Sequence, residues 1–378
     1  MASSSAHHHF LPNIHGGATA APPPTPSTTQ PNNAHFSSAA SEASADALAG
    51  LLHRLPPSLS LPSRRRSTAP SSASLPAVSL AGDGGSSDDL LSAATESGYF
   101  DLTDCGTMIP SELAHSAESD SLSLFGLGEE QKETWLPKAW PLGYEAVDGE
   151  EAETGSFCLD ADCSTEPSSE LKLTSLREFT RALGEIGLKT VEKLASAVGF
   201  DNPFGHDPTR LCTFMWIHEG ISGDKPAISG GFYPFVVCLQ YQIREQKYCL
   251  MTESGWVTVA PRVDSVLVTL GDIAQVWSNG KLKKVRYRPV ACSSQGEGDD
   301  GRSKRLTMSL LLTLPMDSRV SPLMPGKDDG DEGLGEEEEE EDGEKRVFRS
   351  FSFEDYAWRV YNERLYFKDP LDRYRTRL

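Results

Sequence analysis

The feature that most constrains this chain is a change of hydrophobic period near residue 210. Upstream, "SLREFTRALGEIGLKTVEKLASAVGF" places apolar residues at 176, 179, 183, 186, 191, 194 and 198. That is close to helical spacing and predicts a long amphipathic helix. Ser175 and Glu178 give it a capping-box pattern, and Gly199 stands at its end. Downstream, "LCTFMWI", "YPFVVCLQYQI", "KYCLM", "GWVTVAP", "SVLVTLGD", "KVRYRPVA" and "RLTMSLLL" are short, rich in β-branched and aromatic residues, and separated by turn residues. Seven such strands imply a barrel or jelly roll, on which the helix packs, with Gly184 and Gly187 allowing close approach or a bend. Within "VWSNGKLKKVRYRPV", Asn279 and Gly280 lie between two strand-like runs and predict a tight hairpin.

The flanks divide the chain further. Residues 1–74 are rich in Ala, Ser, Pro and His, with acids only at Glu42 and Asp46, and read as a disordered tail. "MASSS" has the Ser-rich, acid-poor character of a transit peptide, but no Arg or Lys occurs before Arg54. A cytoplasmic or nuclear protein is the reading, with the chloroplast as the alternative. Residues 75–200 form an α/β part. "LPAVSL" and "YFDLTDCG" are its strands; "SDDLLSAATESG" is a helix with Ser87 as N-cap and Gly98 as its stop, "IPSEL" begins another, and 126–172 read as surface loops. Residues 201–320 are the β core, 321–346 an acidic low-complexity loop, and 347–378 a terminal helix and tail, with Ser352 and Asp355 capping the helix.

Charge and cysteine content narrow the function classes. Of the net charge of −20, the twelve acids between Asp328 and Glu344 account for −12, so the remainder carries about −8. Nucleic acid is an unsuitable partner for such a chain, whereas a basic protein partner could use the acidic tract. Apolar runs reach only about half the length that a bilayer crossing needs. Seven cysteines, an odd number with no CxxC pair, fit reduced thiols rather than a disulfide frame; Cys158 and Cys163 in "CLDADC" lack a second pair to complete a metal site.

Several phrases resemble the plant branch of the iron(II) and 2-oxoglutarate-dependent dioxygenases, which share the isopenicillin N synthase-like fold. "LPAVSL" is similar to the family's "IPVIDL", and "AATESGYFDLTDCG" to "ACxxWGFFQVVNHG". "SGWVTVAPRVDSVLVTLGDIAQVWSNGKLKKVRYRPV" is similar almost throughout to "GxWVxVxPxPGAxVVNxGDxxQxxSNGxxKSVxHRV". The resemblance covers about 75–320 and the terminal helix. It implies a mostly β fold with flanking helices, a double-stranded β-helix (jelly roll) barrel.

The family's chemistry implies a facial triad, His-x-Asp on one strand and a second His on a later one, leaving positions open for 2-oxoglutarate and oxygen. By the resemblance the second His falls on Tyr287, and the His-x-Asp pair falls on Gly231 and Tyr233 within a residue or two. No histidine occurs after His218, so the stretch that should supply the ligands has none. His218 and Glu219 are adjacent, and on a strand would point to opposite faces. The family's Arg-x-Ser pair for the distal carboxylate of 2-oxoglutarate is matched by Arg305 and Thr307. The resemblance therefore implies a noncatalytic binding or scaffold protein with no iron, with a small carboxylate such as 2-oxoglutarate held at Arg305 and Thr307. The competing reading is an active iron(II) oxygenase with unconventional ligands, Tyr287 together with Cys238 or Cys249.

Overall fold

The computed structural model describes residues 71–80, 86–147, 154–163, 171–207, 210–220, 233–291, 305–324, 346–363 and 369–376. The first part of the chain supplies β1 (Ser71–Ser72), β2 (Ala77–Ser79), α1 (Ser86–Glu96), β3 (Tyr99–Thr103), α2 (Ser111–Phe125), α3 (Glu129–Trp135), β4 (Gly143–Val147) and β5 (Thr154–Leu159). Next come α4 (Thr174–Val198), α5 (Pro203–His206), β6 (Cys212–Gly220), β7 (Val237–Tyr241), β8 (Tyr248–Thr252), β9 (Gly255–Val259), β10 (Val266–Leu270) and α6 (Asp272–Trp277). The last are β11 (Val290–Ala291), β12 (Arg305–Thr313), β13 (Arg319–Val320), β14 (Phe351–Ser352) and α7 (Phe353–Glu363). Gly231 and the acidic tract lie outside the described residues. Among the described residues no helix is long and apolar enough to cross a membrane.

Two sheets face each other. The larger has the order β2-β3-β10-β7-β12-β6-β5-β4, and the smaller the order β1-β9-β8-β11. Strand alternation gives the larger sheet two faces. Leu239, Leu310, Leu312 and Met308 lie on one of them, and α2 and α4 cover it. Helix α4 buries Leu176, Phe179, Leu183, Ile186, Val191 and Leu194. A Cβ on its Gly187 would lie 2.7 Å from Leu312 Cδ1, so any other residue there would make the ends of the Leu312 and Leu239 side chains move; Gly184 has open space instead. The other face looks toward the smaller sheet. There Tyr99 and Leu267 pack with Tyr248, Leu250, Val257, Val259 and Val285 in a second core.

Four sequence expectations change. Helix α4 starts at Thr174, and its first-turn amides of Ser175 and Leu176 donate to Asp120 Oδ2 of α2, at 2.9 and 3.0 Å. A carboxylate from a neighbouring helix thus replaces the local capping box. Residues 126–172 are more than surface loops: they include α3 and the edge strands β4 and β5, which extend the larger sheet beside β6. Asn279 and Gly280, with φ of 52° and 88°, turn the chain after α6 and not within a hairpin. β10 pairs with β3 and β7, whereas β11 pairs with β8. The strand expected over "KVRYRPVA" is confined to Val290–Ala291. The terminal helix keeps its cap, with the Asp355 amide donating to Ser352 Oγ at 3.3 Å.

A buried charge cluster binds the C-terminal segment to the turn. Lys284, 1% exposed, places Nζ 2.7 Å from Asp272 Oδ1 and 2.6 Å from Asp369 Oδ1. Tyr356 of α7 donates to Asp272 Oδ2 at 2.7 Å, and Asn279 Oδ1 accepts from the Val347 amide at 2.7 Å. Removing one partner from a buried ion cluster leaves uncompensated charge. Lys284→Met is therefore expected to lower unfolding free energy by about 3–5 kcal/mol, and Tyr356→Phe by only about 1–2 kcal/mol. Urea titration monitored by circular dichroism measures both; equal losses would show that the cluster does not depend on the ammonium.

Candidate ligand site in the barrel

The inner face is built row by row. On β6, His218 stands opposite Thr307 of β12 and Ser156 of β5, and Ser156 stands opposite Glu145 of β4. Two residues along, Trp216 stands opposite Ser309 and Cys158. Gln240 of β7 extends this second row by donating Nε2 to Ser309 Oγ at 2.5 Å, and to the Pro289 carbonyl at 3.3 Å. The rows are about 7 Å apart along the strands. Unlike the helix-covered face, they carry hydroxyl, thiol, imidazole and amide groups.

Into these rows comes Arg288. Its guanidinium carbon lies 3.7 Å from the centroid of the Trp216 ring, a cation–π contact worth about 2 kcal/mol when desolvated. Burial lowers the Arg288 pKa to about 10, against the upward pull of Cys158, Cys238 and Glu145, so the group is a cation at neutral pH. Burial, and then Arg288 itself, lower His218 to about 4 despite a backbone hydrogen bond at Gly155, leaving the imidazole neutral. Burial pushes the Cys238 thiol up to about 12, although Arg288 and the hydroxyls of Thr269 and Ser309 act in the opposite sense. Cys158 is raised further for the same first reason. Neither thiol is a thiolate at neutral pH, so neither is prepared to act as a nucleophile.

The residues singled out from the sequence are dispersed. Tyr287, 9% exposed, stacks at 6.4 Å on Trp256 of β9, with the Arg286 guanidinium 5.9 Å from its ring. Tyr233 belongs to an aromatic group with Trp140, Phe214 and Phe353, at centroid distances of 5.6, 5.3 and 6.0 Å. Burial raises its phenol pKa. Thr307 is buried in the first row, and Arg305 begins β12 opposite Gly220. His218 and Glu219, being successive on β6, alternate faces. Cys158 borders Arg288, whereas Cys163 contacts Thr180 at 3.4 Å, so the two do not form a metal pair.

Cys249 is disulfide-bonded, which corrects the expectation of free thiols throughout. The odd cysteine number hid this, because spacing along the chain does not show which strands a jelly roll makes adjacent. Among the described residues, no group of three or more His, Cys, Asp and Glu side chains could hold a metal ion. Among the described residues, the donor set around the inner rows is a guanidinium, buried thiols, one neutral imidazole and the Glu145 carboxylate, which Lys138 and Tyr361 already engage, and this set does not fit iron(II). Sequence reasoning missed Arg288 altogether. Within "KLKKVRYR" it is one basic residue among five, and the signal that could have found it is its match to the Arg after the second His in the family's "KSVxHRV".

Comparison with known proteins places the geometry. The family model for the 2OG-Fe(II) oxygenase superfamily matches residues 226–310. Gibberellin 2-beta-dioxygenase 6 of Oryza sativa subsp. japonica is 30% identical over 111 residues, 29% of this chain and 24% of that protein's length. Gibberellin 2-beta-dioxygenase 2 of Arabidopsis thaliana is 23% identical over 284 residues, 68% of this chain and 80% of its own. Among solved structures, the dioxygenase for auxin oxidation of rice superposes with a TM-score of 0.59 at 21% identity, over 80% of this chain and 100% of that one. The full-length Neurospora crassa T7H in complex with alpha-KG gives 0.55 at 14% identity, over 76% and 95%. At these identities the structural likeness speaks for the double-stranded β-helix fold alone, and the family match places residues 226–310 in the 2OG-Fe(II) oxygenase superfamily.

Proposed function

We propose that this chain is a noncatalytic member of the superfamily, a binding protein whose barrel does not take iron(II). The observation that carries this reading is the pair of side chains at the ligand positions implied by the resemblance: Tyr287 is a buried phenol that packs on Trp256, and Tyr233 is a buried phenol in an aromatic group. The competing reading needs a thiolate beside Tyr287. Cys249 is disulfide-bonded and Cys238 is held protonated by burial, so neither supports it. Anaerobic loading with iron(II) is expected to leave well under one equivalent bound after gel filtration, with no succinate formed from 2-oxoglutarate. Near-stoichiometric iron with succinate release would overturn the proposal.

Retention of a small carboxylate such as 2-oxoglutarate at Arg305 and Thr307 is part of this reading. It is supported by the buried position of Thr307 in the first inner row. Thermal-shift titration with 2-oxoglutarate is expected to raise the melting temperature of the wild type and to raise that of Arg305→Ala much less. The same response from both proteins, including none from either, removes this part of the proposal.

Acid should expose the effect of burial and of the Arg288 guanidinium on His218. The folded pKa of His218, about 4, lies below the free value of 6.5. As pH falls below 6.5 the unfolded chain binds a proton that the folded chain refuses, so this residue lowers stability progressively until about pH 4. Between pH 7 and 4.5 the wild type is expected to lose ~2 kcal/mol more than His218→Gln, as measured by urea unfolding at each pH. Parallel losses in the two proteins would show that burial and Arg288 do not keep His218 neutral in the folded protein.

A further inference from the structure

A cationic region of the surface forms where the C-terminal segment meets the turn after α6. Residues 346–349 and 373–376 lie antiparallel: Phe348 bridges Arg375, the Arg349 amide donates to the Tyr374 carbonyl at 2.8 Å, and the Thr376 amide donates to the Val347 carbonyl at 2.9 Å. The turn packs against this pair, since a Cβ on Gly280 would lie 3.7 Å from Phe348 Cε2 and 3.9 Å from Val347 Cγ1. Lys281, Arg346, Arg349, Arg373 and Arg375 are thereby brought together. Two acids of the same segment are already engaged, Asp369 by Lys284 and Arg375 at 2.6 and 3.8 Å, and Asp372 by Arg375 at 3.3 Å. Arg349 and Arg373 are exposed and have no acidic partner among the described residues; the Arg349 guanidinium donates only to the Arg373 carbonyl, at 3.3 Å. They stand out in a chain whose net charge is −20.

The acidic run of the same chain starts and ends beside this region. The Leu323 amide donates to the Trp277 carbonyl at 2.9 Å, and the Val347 amide donates to Asn279 Oδ1 at 2.7 Å, so the chain leaves and re-enters the described fold at one turn. Residues 325–345, which hold the twelve acids, add at most about 3.5 Å each, so even at full stretch none lies more than about 40 Å from that turn. Tethering at both ends gives those carboxylates an effective concentration in the millimolar range at the two arginines. Each guanidinium presents a planar fork that matches a carboxylate. We propose that the surface carrying Arg349 and Arg373 is a docking site for an acidic peptide, and that its occupant is this chain's own Asp328–Glu344 segment. The basic partner expected for the acidic tract is then a part of the same molecule, and the docked tract withholds the surface from other acidic chains. The proposal goes beyond the noncatalytic reading of the barrel and does not depend on it.

Fluorescence anisotropy with a labelled peptide of residues 326–345 tests it on full-length protein in about 20 mM salt, where screening is weak. A variant with the twelve acids changed to Asn or Gln is expected to bind the peptide saturably, and the wild type to bind it at least about tenfold more weakly, because its own tract occupies the surface. Adding Arg349→Glu and Arg373→Glu to the neutral-tract variant is expected to weaken binding about tenfold or more, as is raising the salt to about 0.5 M. Circular dichroism checks each fold, and should the charge-reversed protein fail to fold, Arg349→Gln with Arg373→Gln takes its place. No binding to the neutral-tract variant, equal binding to it and to the wild type, or binding indifferent to both arginines overturns the proposal. Sedimentation of the wild type over a range of concentrations distinguishes the sources of the tract. A monomer throughout is expected, whereas self-association that salt abolishes would put the tract on a second copy and overturn the assignment of the occupant.

Discussion

The ammonium of Lys284 holds together the parts of the molecule on which the inner rows depend. Buried between Asp272 and Asp369, it ties the start of α6 to the C-terminal segment, while Tyr356 of α7 bonds the same Asp272. The residues that follow are then held in sequence: the Val285 amide donates to Leu270, that of Arg286 to Met251, and Val290 and Ala291 pair with β8. Tyr287 and Arg288 lie between these anchors. Their directions, one onto Trp256 and the other over Trp216, follow from where the anchored backbone leaves them.

The Arg288 guanidinium sets much of the electrostatics of the inner rows. A guanidinium is weakly hydrated compared with an ammonium and can lie flat on an indole, which makes its removal from water less costly than for lysine. Its neighbours respond consistently: His218 stays neutral, and the thiols of Cys158 and Cys238 stay protonated because burial outweighs the attraction of the guanidinium.

The two faces of the larger sheet divide the work. The helix-covered face is apolar packing, close enough at Gly187 that a Cβ there would displace the end of Leu312. The inner face tolerates polar groups because much of their bonding is local, as in the Gln240 to Ser309 contact. The same strands thus serve two different surroundings, since alternate side chains point to opposite faces.

Much of the architecture was legible in the chain itself. The period of α4, the short β-branched runs from 212 to 313 and the cap at Ser352 are local patterns, and burial of one face enforces them. The phrase from Ser254 to Val290 carried the superfamily for the same reason. What tertiary structure alone decided are pairings between distant segments: Asp120 capping α4, β4 and β5 joining the sheet edge, Cys249 in a disulfide, and Asn279–Gly280 turning the chain out of a helix and not within a hairpin. Arg288 belongs to this second group. Its residue type and position are written in the sequence, but its place over Trp216 results from contacts with β5, β6 and β7, and a lone basic residue in a basic stretch gives no local sign of them.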